Sequence, residues 1–374
     1  MHWLYGTPMS SDVRFDKKDT LCEISLTLGD ETVGRAEVQD KTMRLAGAWV
    51  RMGGIANVVT HPAHRGQGYG TRLMKAALAY MREEEYPISI LFGISDYYHR
   101  FAYTPVLPEY EVSVATRDAE RREVTATVRP ARAEEQDALL DLYTRVNAHR
   151  TGTLRRTVAK FRPLPEKIQQ WWFHARRVLV AEQAGTLTGY VILSGEPGQF
   201  RVSEVVVPAE HVATAGASLV ASLAQEAVQR RLERIRLPLP PDEALAGLLR
   251  QMGCRMEVRY PANGDGMGRI VHLEALAEAL TPALAGRLET LPPSERPGSL
   301  EFICSNDRAH IALGNGRTLS IALPQQPLCQ LVMGYRGIDE LATEWPDAVA
   351  PDDIPTVRTL FPAGYPHIWD LDHF

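Results

Sequence analysis

Residues 57–70 read Asn-Val-Val-Thr-His-Pro-Ala-His-Arg-Gly-Gln-Gly-Tyr-Gly and run directly into an amphipathic segment. The partly β-branched run Gly54 to Thr60 predicts a buried strand that Pro62 stops, and the glycines then allow the backbone to turn. The next segment predicts a helix whose apolar face is formed by Leu73, Met74, Ala77, Leu78 and Met81. A helix that starts at such a turn points free N–H groups and a positive dipole end at it, so we expect an anion there.

The spacing of these glycines separates three kinds of nucleotide-binding turn. A mononucleotide loop needs Gly-Lys-Ser/Thr after four spacer residues, and a dinucleotide fingerprint needs G-x-G-x-x-G with an acidic residue about 20 positions later. The sequence has neither pattern and instead contains Arg65, Gly68 and Gly70 as R-x-x-G-x-G. Because glycine turns before helices are common, this pattern alone leaves a purely structural turn as an equal alternative.

A second motif follows one helix and one strand later. The run Ile88 to Phe92 predicts a buried strand, and after it residues 97–103 read Tyr-Tyr-His-Arg-Phe-Ala-Tyr. Aromatic clusters of this kind most often pack the end of a sheet. Their position directly after the glycine turn, helix and strand favours a functional role instead.

Together the two motifs resemble the acyl-CoA pyrophosphate loop and the F/Y-Y-x-R-F-G-Y segment of the GNAT superfamily of N-acetyltransferases. The resemblance implies that Tyr98 donates a proton to the departing CoA thiolate, and that acetyl-CoA is the co-substrate. Ala102 stands where the family pattern has glycine, a small-for-small change. The residues that the resemblance assigns to CoA are Val58, Val59, Thr60, Arg65, Gly66, Gln67, Gly68, Tyr69, Gly70, Thr71, Gly93 and Ile94.

The composition excludes several other classes of protein. Apolar residues make up 45% and charged residues 23% of the chain, as in an ordinary globular protein. The net charge of −5 argues against a nucleic-acid partner and fits cationic substrates. The four cysteines are far apart without a C-x-x-C pair, so we expect them to be reduced. No apolar run spans a bilayer and residues 1–10 lack the pattern of a signal peptide, so we expect a cytoplasmic protein without a membrane partner.

The length of 374 residues predicts more than one domain. The predicted fold class is α/β (α+β), with tandem GNAT-like domains at residues 1–120 and 121–268 and a sterol-carrier-protein-like α+β domain at 269–374. In the first domain, a meander of strands at Leu21 to Leu28, Thr32 to Val38 and Arg44 to Arg51 feeds the glycine loop.

The other two regions show a different pattern. In the second, Val205-Val206-Val207 is followed by Pro208-Ala209-Glu210-His211 and no glycine loop, so we expect no CoA site there. Trp171 and Trp172 are expected to pack in a core or an interface. In the third, short antiparallel strands are predicted between helical segments, at Ser299 to Cys304, Ala309 to Leu313 and Thr318 to Leu323.

This order of domains resembles the Eis (enhanced intracellular survival) family of acetyltransferases from about Leu21 to Phe374, with further matching segments at Leu331 to Tyr335 and Ile368 to Phe374. In that family the C-terminal carboxylate enters the active site as general base, which implies this role for Phe374. Family members are hexamers built from trimers, which implies a homo-oligomer. A complete GNAT domain has a further strand and two helices before the meander, whereas about 20 poorly patterned residues precede Leu21. We therefore expect an N-terminally short domain.

The expected activity is acetyl-CoA-dependent N-acetyl transfer to a primary amine: a polyamine, an aminoglycoside or a lysine side chain. No metal is expected, because the spacing of His61, His64 and His99 resembles no ligand set; these histidines are interpreted as residues at the surface or around the site. Two alternatives remain. One is a non-catalytic acyl-CoA or ligand-binding protein, and the other is a lipid carrier acting through the third region.

Overall fold

The computed structural model describes residues 11–158, 177–194 and 200–374. Trp171 and Trp172, for which packing was predicted, lie outside these residues. The chain forms two compact units: the first contains residues up to Val106, Pro261–Gly364 and Phe374, and the second contains Leu107–Tyr260 and Tyr365–His373. The division into three domains at residues 120 and 268 stays a prediction.

The strands and helices are as follows. The strands are β1 (Ser11–Lys18), β2 (Leu21–Leu28), β3 (Glu31–Leu45), β4 (Ala48–Thr60), β5 (Ile88–Gly93), β6 (Thr104–Leu107), β7 (Glu109–Ala115), β8 (Thr127–Pro130), β9 (Arg177–Gln183), β10 (Thr186–Ser194), β11 (Arg201–Val206), β12 (Arg234–Leu237), β13 (Cys254–Arg259), β14 (Asp265–Ile270), β15 (Ser299–Cys304), β16 (Asp307–Ala312) and β17 (Thr318–Ala322). The helices are α1 (Tyr69–Glu83), α2 (Thr116–Glu120), α3 (Gln136–Val146), α4 (Ala217–Gln229), α5 (Ala244–Gln251), α6 (Leu273–Leu288), α7 (Gln325–Val332), α8 (Ile338–Glu344) and α9 (Ile354–Leu360).

The first unit is built on a seven-stranded sheet in the order β1-β2-β3-β4-β5-β14-β6. Strand β1 pairs along its whole length with β2, so the residues before Leu21 are more regular than the sequence analysis expected. Helix α1 buries Leu73, Met74, Ala77 and Met81 in the core that the sheet residues form. Full burial of each larger side chain stabilises the unit by roughly 1.5–3 kcal/mol, which fixes the start of α1 against the sheet.

Strand β14 comes from a late part of the chain and crosses the predicted boundary at residue 268. It pairs antiparallel with β5, from Asp265 opposite Gly93 to Ile270 opposite Ile88. Strand β14 therefore pairs with the edge of β5 opposite to the edge that pairs with β4. A second sheet of this unit has the order β16-β15-β17.

The prediction of three antiparallel strands in that second sheet was wrong in one pairing. Strands β15 and β16 are antiparallel, but β15 and β17 are parallel, with Ser299 opposite Thr318. The reason is geometric: the chain reverses once between β15 and β16 and again between β16 and β17, so β17 runs in the direction of β15 and pairs with its other edge. The sterol-carrier-like character of this region stays a prediction.

The second unit contains a four-stranded sheet, β11-β10-β9-β8, and a three-stranded sheet, β12-β7-β13. Its core includes the buried face of α4, with Leu219, Val220, Leu223 and Ala224. Strand β11 leads into a short 3-10 helix at Ala209–His211, where the first unit has its glycine loop.

The C-terminal segment Tyr365–His373 packs into the second unit. Trp369 is buried and its Nε1 donates to Asn147 Oδ1 at 3.1 Å. The His367 N–H donates to the carbonyl of Thr151 at 2.8 Å. Among the described helices, none combines the length and the apolar character needed to cross a bilayer.

Candidate active site

The candidate site lies where two neighbouring parallel strands separate. Strands β4 and β5 pair from Met52 opposite Ile88 to Ile55 opposite Leu91, and their ladder ends there. Both strands continue, β4 to Thr60 and β5 to Gly93. Beyond the last pair, β4 stays bonded to β3 on its other side, with Thr60 opposite Gly34. The result is a wedge between β4 and β5, lined by main-chain atoms.

A bulge in β4 coincides with the opening of this wedge. Arg35 lies opposite Val59 and Glu37 opposite Ala56, so Asn57 and Val58 both face the single residue between them on β3. Asn57 has a φ of +49°. A bulge leaves the extra residue out of the ladder and turns the strand, which makes backbone groups of β4 available to a ligand in the wedge.

The glycine loop leads from the end of β4 to the start of α1. Gly66 and Gly68 have φ values of +77° and +82°, and space is open around both. These two glycines are therefore required by the backbone conformation. Gly68 is the N-cap of α1 and provides no side-chain cap, so the N–H groups of the first turn point into the loop. The sequence prediction of a turn that prepares an anion site agrees with this geometry.

Arg65 and Thr60 connect the loop to the strand. The Nε of Arg65 donates to the carbonyl of Thr60 at 3.4 Å. The hydroxyl of Thr60 lies 3.6 Å from the position that a Cβ on Gly70 would occupy, and the Tyr97 hydroxyl lies 2.6 Å from the same position. The end of β4, the first turn of α1 and the aromatic segment after β5 therefore meet at Gly70.

Tyr98 lies against Gly93 at the end of β5. A Cβ on Gly93 would come within 2.6 Å of the Tyr98 ring, so the absence of a side chain makes room for the ring. Tyr97 packs edge-on against Tyr98 with ring centroids 4.9 Å apart. Burial raises the pKa of Tyr98 above its ordinary value of 10, and the nearby Tyr97 raises it further. The phenol is thus kept protonated at neutral pH.

Phe374 also lies in the first unit, at the closed end of the wedge. Its ring packs edge-on against Phe92 with centroids 5.5 Å apart. A Cβ on Gly54 would lie 2.7 Å from the nearest atom of the ring. The structure therefore places Phe374 against Gly54 of β4 and Phe92 of β5, the residues just before and just after the last pair of the ladder.

Two apolar residues that the family resemblance assigns to CoA binding have side chains exposed to solvent. Val59 is 45% exposed and Ile94 is 72% exposed. One follows the bulge in β4 and the other follows the end of β5, so both flank the wedge. Exposed apolar side chains on opposite sides of one opening are the surface that an apolar segment of a ligand would cover.

The two residues that contact the Phe374 ring were not predicted from the sequence. Gly54 and Phe92 were recognised only as strand residues, and their contact with the last residue of the chain has no signal in local sequence. By contrast, Val58, Thr60, Gln67, Tyr69 and Thr71 lie on the strand, loop and first helical turn where the motif placed them. Their roles in binding stay predictions.

Comparison with known proteins agrees with this geometry. Residues 13–106 match a family model described as an acetyltransferase (GNAT) domain. This region is therefore a GNAT acetyltransferase domain, and the protein is an acetyltransferase by class. The comparison with curated proteins found no match.

Several solved structures are similar along nearly the whole chain. A conserved protein of unknown function from Enterococcus faecalis V583, described as a probable N-acyltransferase, has a TM-score of 0.74 and 15% identity and covers 98% of this chain and 100% of its own. A GCN5-related N-acetyltransferase from Kribbella flavida has a TM-score of 0.67 and 21% identity, with coverage of 94% and 87%. Eis1 from Mycobacterium abscessus has a TM-score of 0.65 and 16% identity, with coverage of 98% and 100%. At these low sequence identities, the structural similarity shows that the folds are alike and nothing beyond the fold.

Proposed function

We propose that the protein transfers the acetyl group of acetyl-CoA to a primary amine by direct attack. The observation that carries this proposal is the wedge between β4 and β5, which opens beside a helix start with left-handed glycines. Both features lie within the residues that match the acetyltransferase domain. The wedge accepts an extended chain, and the helix start accepts phosphate groups.

Each part of acetyl-CoA has matching residues in this arrangement. The backbone amides from Gly66 to Thr71, in the loop and the first turn of α1, would hold the pyrophosphate together with Arg65. Val58, Val59 and Thr60 on one side and Gly93 and Ile94 on the other would hold the pantetheine arm. Acetyl-CoA supplies a thioester, and backbone N–H groups around Val59 and Thr60 are the donors available to the charge that develops on its oxygen.

Two groups of this chain would move protons in the reaction. A protonated amine with an ordinary pKa of about 10.4 must lose a proton before it attacks, and the Phe374 carboxylate is the proposed base. Tyr98 is the proposed acid for the departing thiolate, whose ordinary pKa is about 8.5. Tyr98 carries its proton at neutral pH, as this role requires, although burial raises its pKa and makes the phenol a weaker acid than in water.

The acceptor is proposed to be a polyamine, an aminoglycoside or a lysine side chain, in keeping with the net charge of −5. We further propose a cytoplasmic homo-oligomer, a hexamer by the family resemblance, with a sterol-carrier-like region at residues 269–374 that does not transfer lipid. Light scattering of the purified chain tests the assembly: a monomer at micromolar concentration would contradict it.

The test is thiol release from acetyl-CoA in the presence of polyamines, aminoglycosides and lysine peptides. The parent chain is compared with a chain lacking Phe374 and with Tyr98→Phe. We expect each change to lower kcat by roughly 10²–10⁴, the range of general acid–base catalysis, with the affinity for acetyl-CoA retained. Phe374→Leu is the matched control, because it changes the ring but keeps a carboxylate at the same position.

The outcomes separate the alternatives. Turnover that is indifferent to the loss of Phe374 removes the assignment of the base. An acetyl-CoA affinity without turnover on any amine favours a binding protein, and no affinity at all contradicts the proposed site.

A further inference from the structure

Glu31, His61 and His64 form a cluster beside the glycine loop that the proposed chemistry does not use. One carboxylate oxygen and two imidazole nitrogens, one from each residue, all lie within 4.8 Å of one another. From the sequence the two histidines were interpreted as residues at the surface or around the site, because their spacing matches no ligand set. Glu31 completes the group from another strand, 30 residues earlier than His61, so local spacing could not show it.

Backbone hydrogen bonds fix the three residues relative to one another. Glu31 is the first residue of β3. The His61 N–H donates to the carbonyl of Val33 at 2.8 Å, which ties the end of β4 to that strand. Residues Pro62–His64 form one 3-10 turn, in which the His64 N–H donates to the His61 carbonyl at 2.9 Å. The cluster is therefore built on strand ends and a tight turn.

The contacts within the cluster go beyond those of a surface ion pair. His64 Nε2 and Glu31 Oε1 are 3.2 Å apart, and such a pair alone is worth about 0–1 kcal/mol. A third donor, His61, has its ring centroid 5.8 Å from that of His64. Metal bonds of about 2.0–2.1 Å in tetrahedral geometry put ligand atoms roughly 3.3 Å apart. Glu31 and His64 already have this separation, and rotation of the exposed His61 side chain would complete the set.

We propose that Glu31, His61 and His64 bind a divalent transition metal of the zinc type, with one coordination position left open. Two imidazoles and one carboxylate form a donor set that zinc accepts with a fourth position free. Glu31 and His61 are exposed, so a metal reaches them directly from solvent. This site is separate from the acid and base proposed for acetyl transfer.

The metal site would also strengthen anion binding in the glycine loop. The His64 ring packs edge-on against the ring of Tyr69, the first residue of α1, with centroids 6.2 Å apart. A dication held by His64, whose ring contacts the first residue of α1, would add positive potential near the helix start, and linkage makes the effect reciprocal between metal and anion. This second step rests on the proposed function, whereas metal binding itself does not.

Cobalt is the probe for the metal site, because its visible absorption reports the number and geometry of its ligands. Co²⁺ is titrated into the full chain without an affinity tag, and into Glu31→Gln, His61→Gln and His64→Gln. We expect saturable binding of one ion by the parent and a loss of affinity of about tenfold or more in each variant. His99→Gln is the matched control: this exposed histidine lies near Asn263, outside the cluster, and should bind like the parent. Absence of saturable binding, or equal binding by His64→Gln, overturns the proposal.

Acetyl-CoA, whose thiol is blocked, is the probe for the coupling. Its affinity is measured by calorimetry with and without saturating Co²⁺. We expect Co²⁺ to tighten acetyl-CoA binding by about fivefold or more in the parent, within the usual range of coupling, and to have no effect in His64→Gln. An unchanged affinity in the parent overturns the coupling. A chain that binds Co²⁺ but no acetyl-CoA contradicts the proposed function and leaves the metal site supported.

Discussion

At the scale of single residues, the candidate site depends on glycines that face aromatic rings. Phe374 lies over Gly54, Tyr98 over Gly93, and the Tyr97 hydroxyl over Gly70. None of these glycines has a positive φ, so each is needed for space and not for backbone conformation. This distinguishes them from Gly66 and Gly68, which adopt left-handed conformations in open space.

Gly54→Ala should displace the Phe374 ring without unfolding the strand. The new Cβ would lie 2.7, 2.8 and 3.0 Å from three ring atoms of Phe374, which are its three nearest neighbours. Because the proposed base moves with this residue, kcat should fall by about tenfold or more while the KM for acetyl-CoA changes little. Thiol-release kinetics with saturating amine give both values.

Gly286→Ala is the matched control for this substitution. It lies in α6 with nothing within 4 Å of the new Cβ beyond its own helix, so it should leave kcat unchanged and raise stability by up to about 1 kcal/mol. An active Gly54→Ala variant with parent kcat would show that the position of Phe374 does not matter for turnover.

At the scale of elements, the loop before α1 depends on backbone conformation. Gly68 has a φ of +82° and no neighbour within 4 Å, so Gly68→Ala adds a conformational penalty of roughly 1–2 kcal/mol and no clash. We expect the loop to relax away from the left-handed form, which misaligns the first-turn amides and raises the Kd for acetyl-CoA by about tenfold. Calorimetry measures this Kd directly.

Gly185→Ala carries the same penalty in the turn between β9 and β10, with a φ of +79° and no neighbour within 4 Å. It should lower the free energy of unfolding similarly and leave the Kd for acetyl-CoA unchanged. If Gly68→Ala and Gly185→Ala bind acetyl-CoA with the same Kd, the glycine loop before α1 does not bind the anionic part of this ligand.

Local patterning predicted most elements but not their pairing. Strands β2 and β15 have the bounds predicted for them, since alternate apolar residues of each strand are buried. Strand β1 was missed because charged residues interrupt its alternation. The two strands beside the wedge were predicted, but the residue at which their ladder ends coincides with a bulge opposite β3, which local sequence does not encode.

The tail before Phe374 contains a buried histidine that should make stability depend on pH. Burial lowers the pKa of His367 from 6.5 to about 3, with the Arg150 charge adding to the effect. The folded protein therefore favours the neutral ring. This contribution is complete above pH 6.5 and is lost as the pH falls towards 3.

His367→Phe should reduce the acid sensitivity of the protein. Below pH 6.5, the ordinary pKa of histidine, the free energy of unfolding of the parent falls by up to about 1.4 kcal/mol per pH unit because of His367. The variant has no histidine at this position and should not show this decrease. Urea unfolding at several pH values between about 4 and 7 measures the difference between the two slopes. Identical slopes for parent and variant would show that His367 is not buried in neutral form.

At the scale of the whole molecule, the fold class was predicted correctly, whereas the grouping of segments was not visible in the sequence. Periodicity describes contiguous stretches, but the first unit combines residues up to Val106 with Pro261–Gly364 and Phe374. The segment Tyr365–His373 belongs to the second unit. Contacts between residues more than 200 positions apart decide this arrangement, and no local pattern reports them.

The contact that closes the second unit over such a distance is a buried ion cluster. Arg156 donates to both carboxylate oxygens of Glu204, at 2.8 and 2.6 Å, and to Asp372 at 2.6 Å. The exposed fractions of the Arg156, Glu204 and Asp372 side chains are 2%, 0% and 2%. The cation therefore holds the tail against β11 and pairs with two buried carboxylates at once.

Arg156→Met should destabilise the protein by about 3–5 kcal/mol at neutral pH, because it leaves two buried carboxylates without their cation. The deficit should shrink as the pH falls towards about 5, because protons taken up by the variant cancel negative charge that the lost cation no longer balances. Urea unfolding at about pH 5 and pH 8 measures both effects. Arg236→Ala, which removes an exposed ion pair with Glu111, should change stability by less than about 1 kcal/mol at either pH. A deficit for Arg156→Met that is independent of pH would mean that lost packing, and not unpaired charge, is the cause.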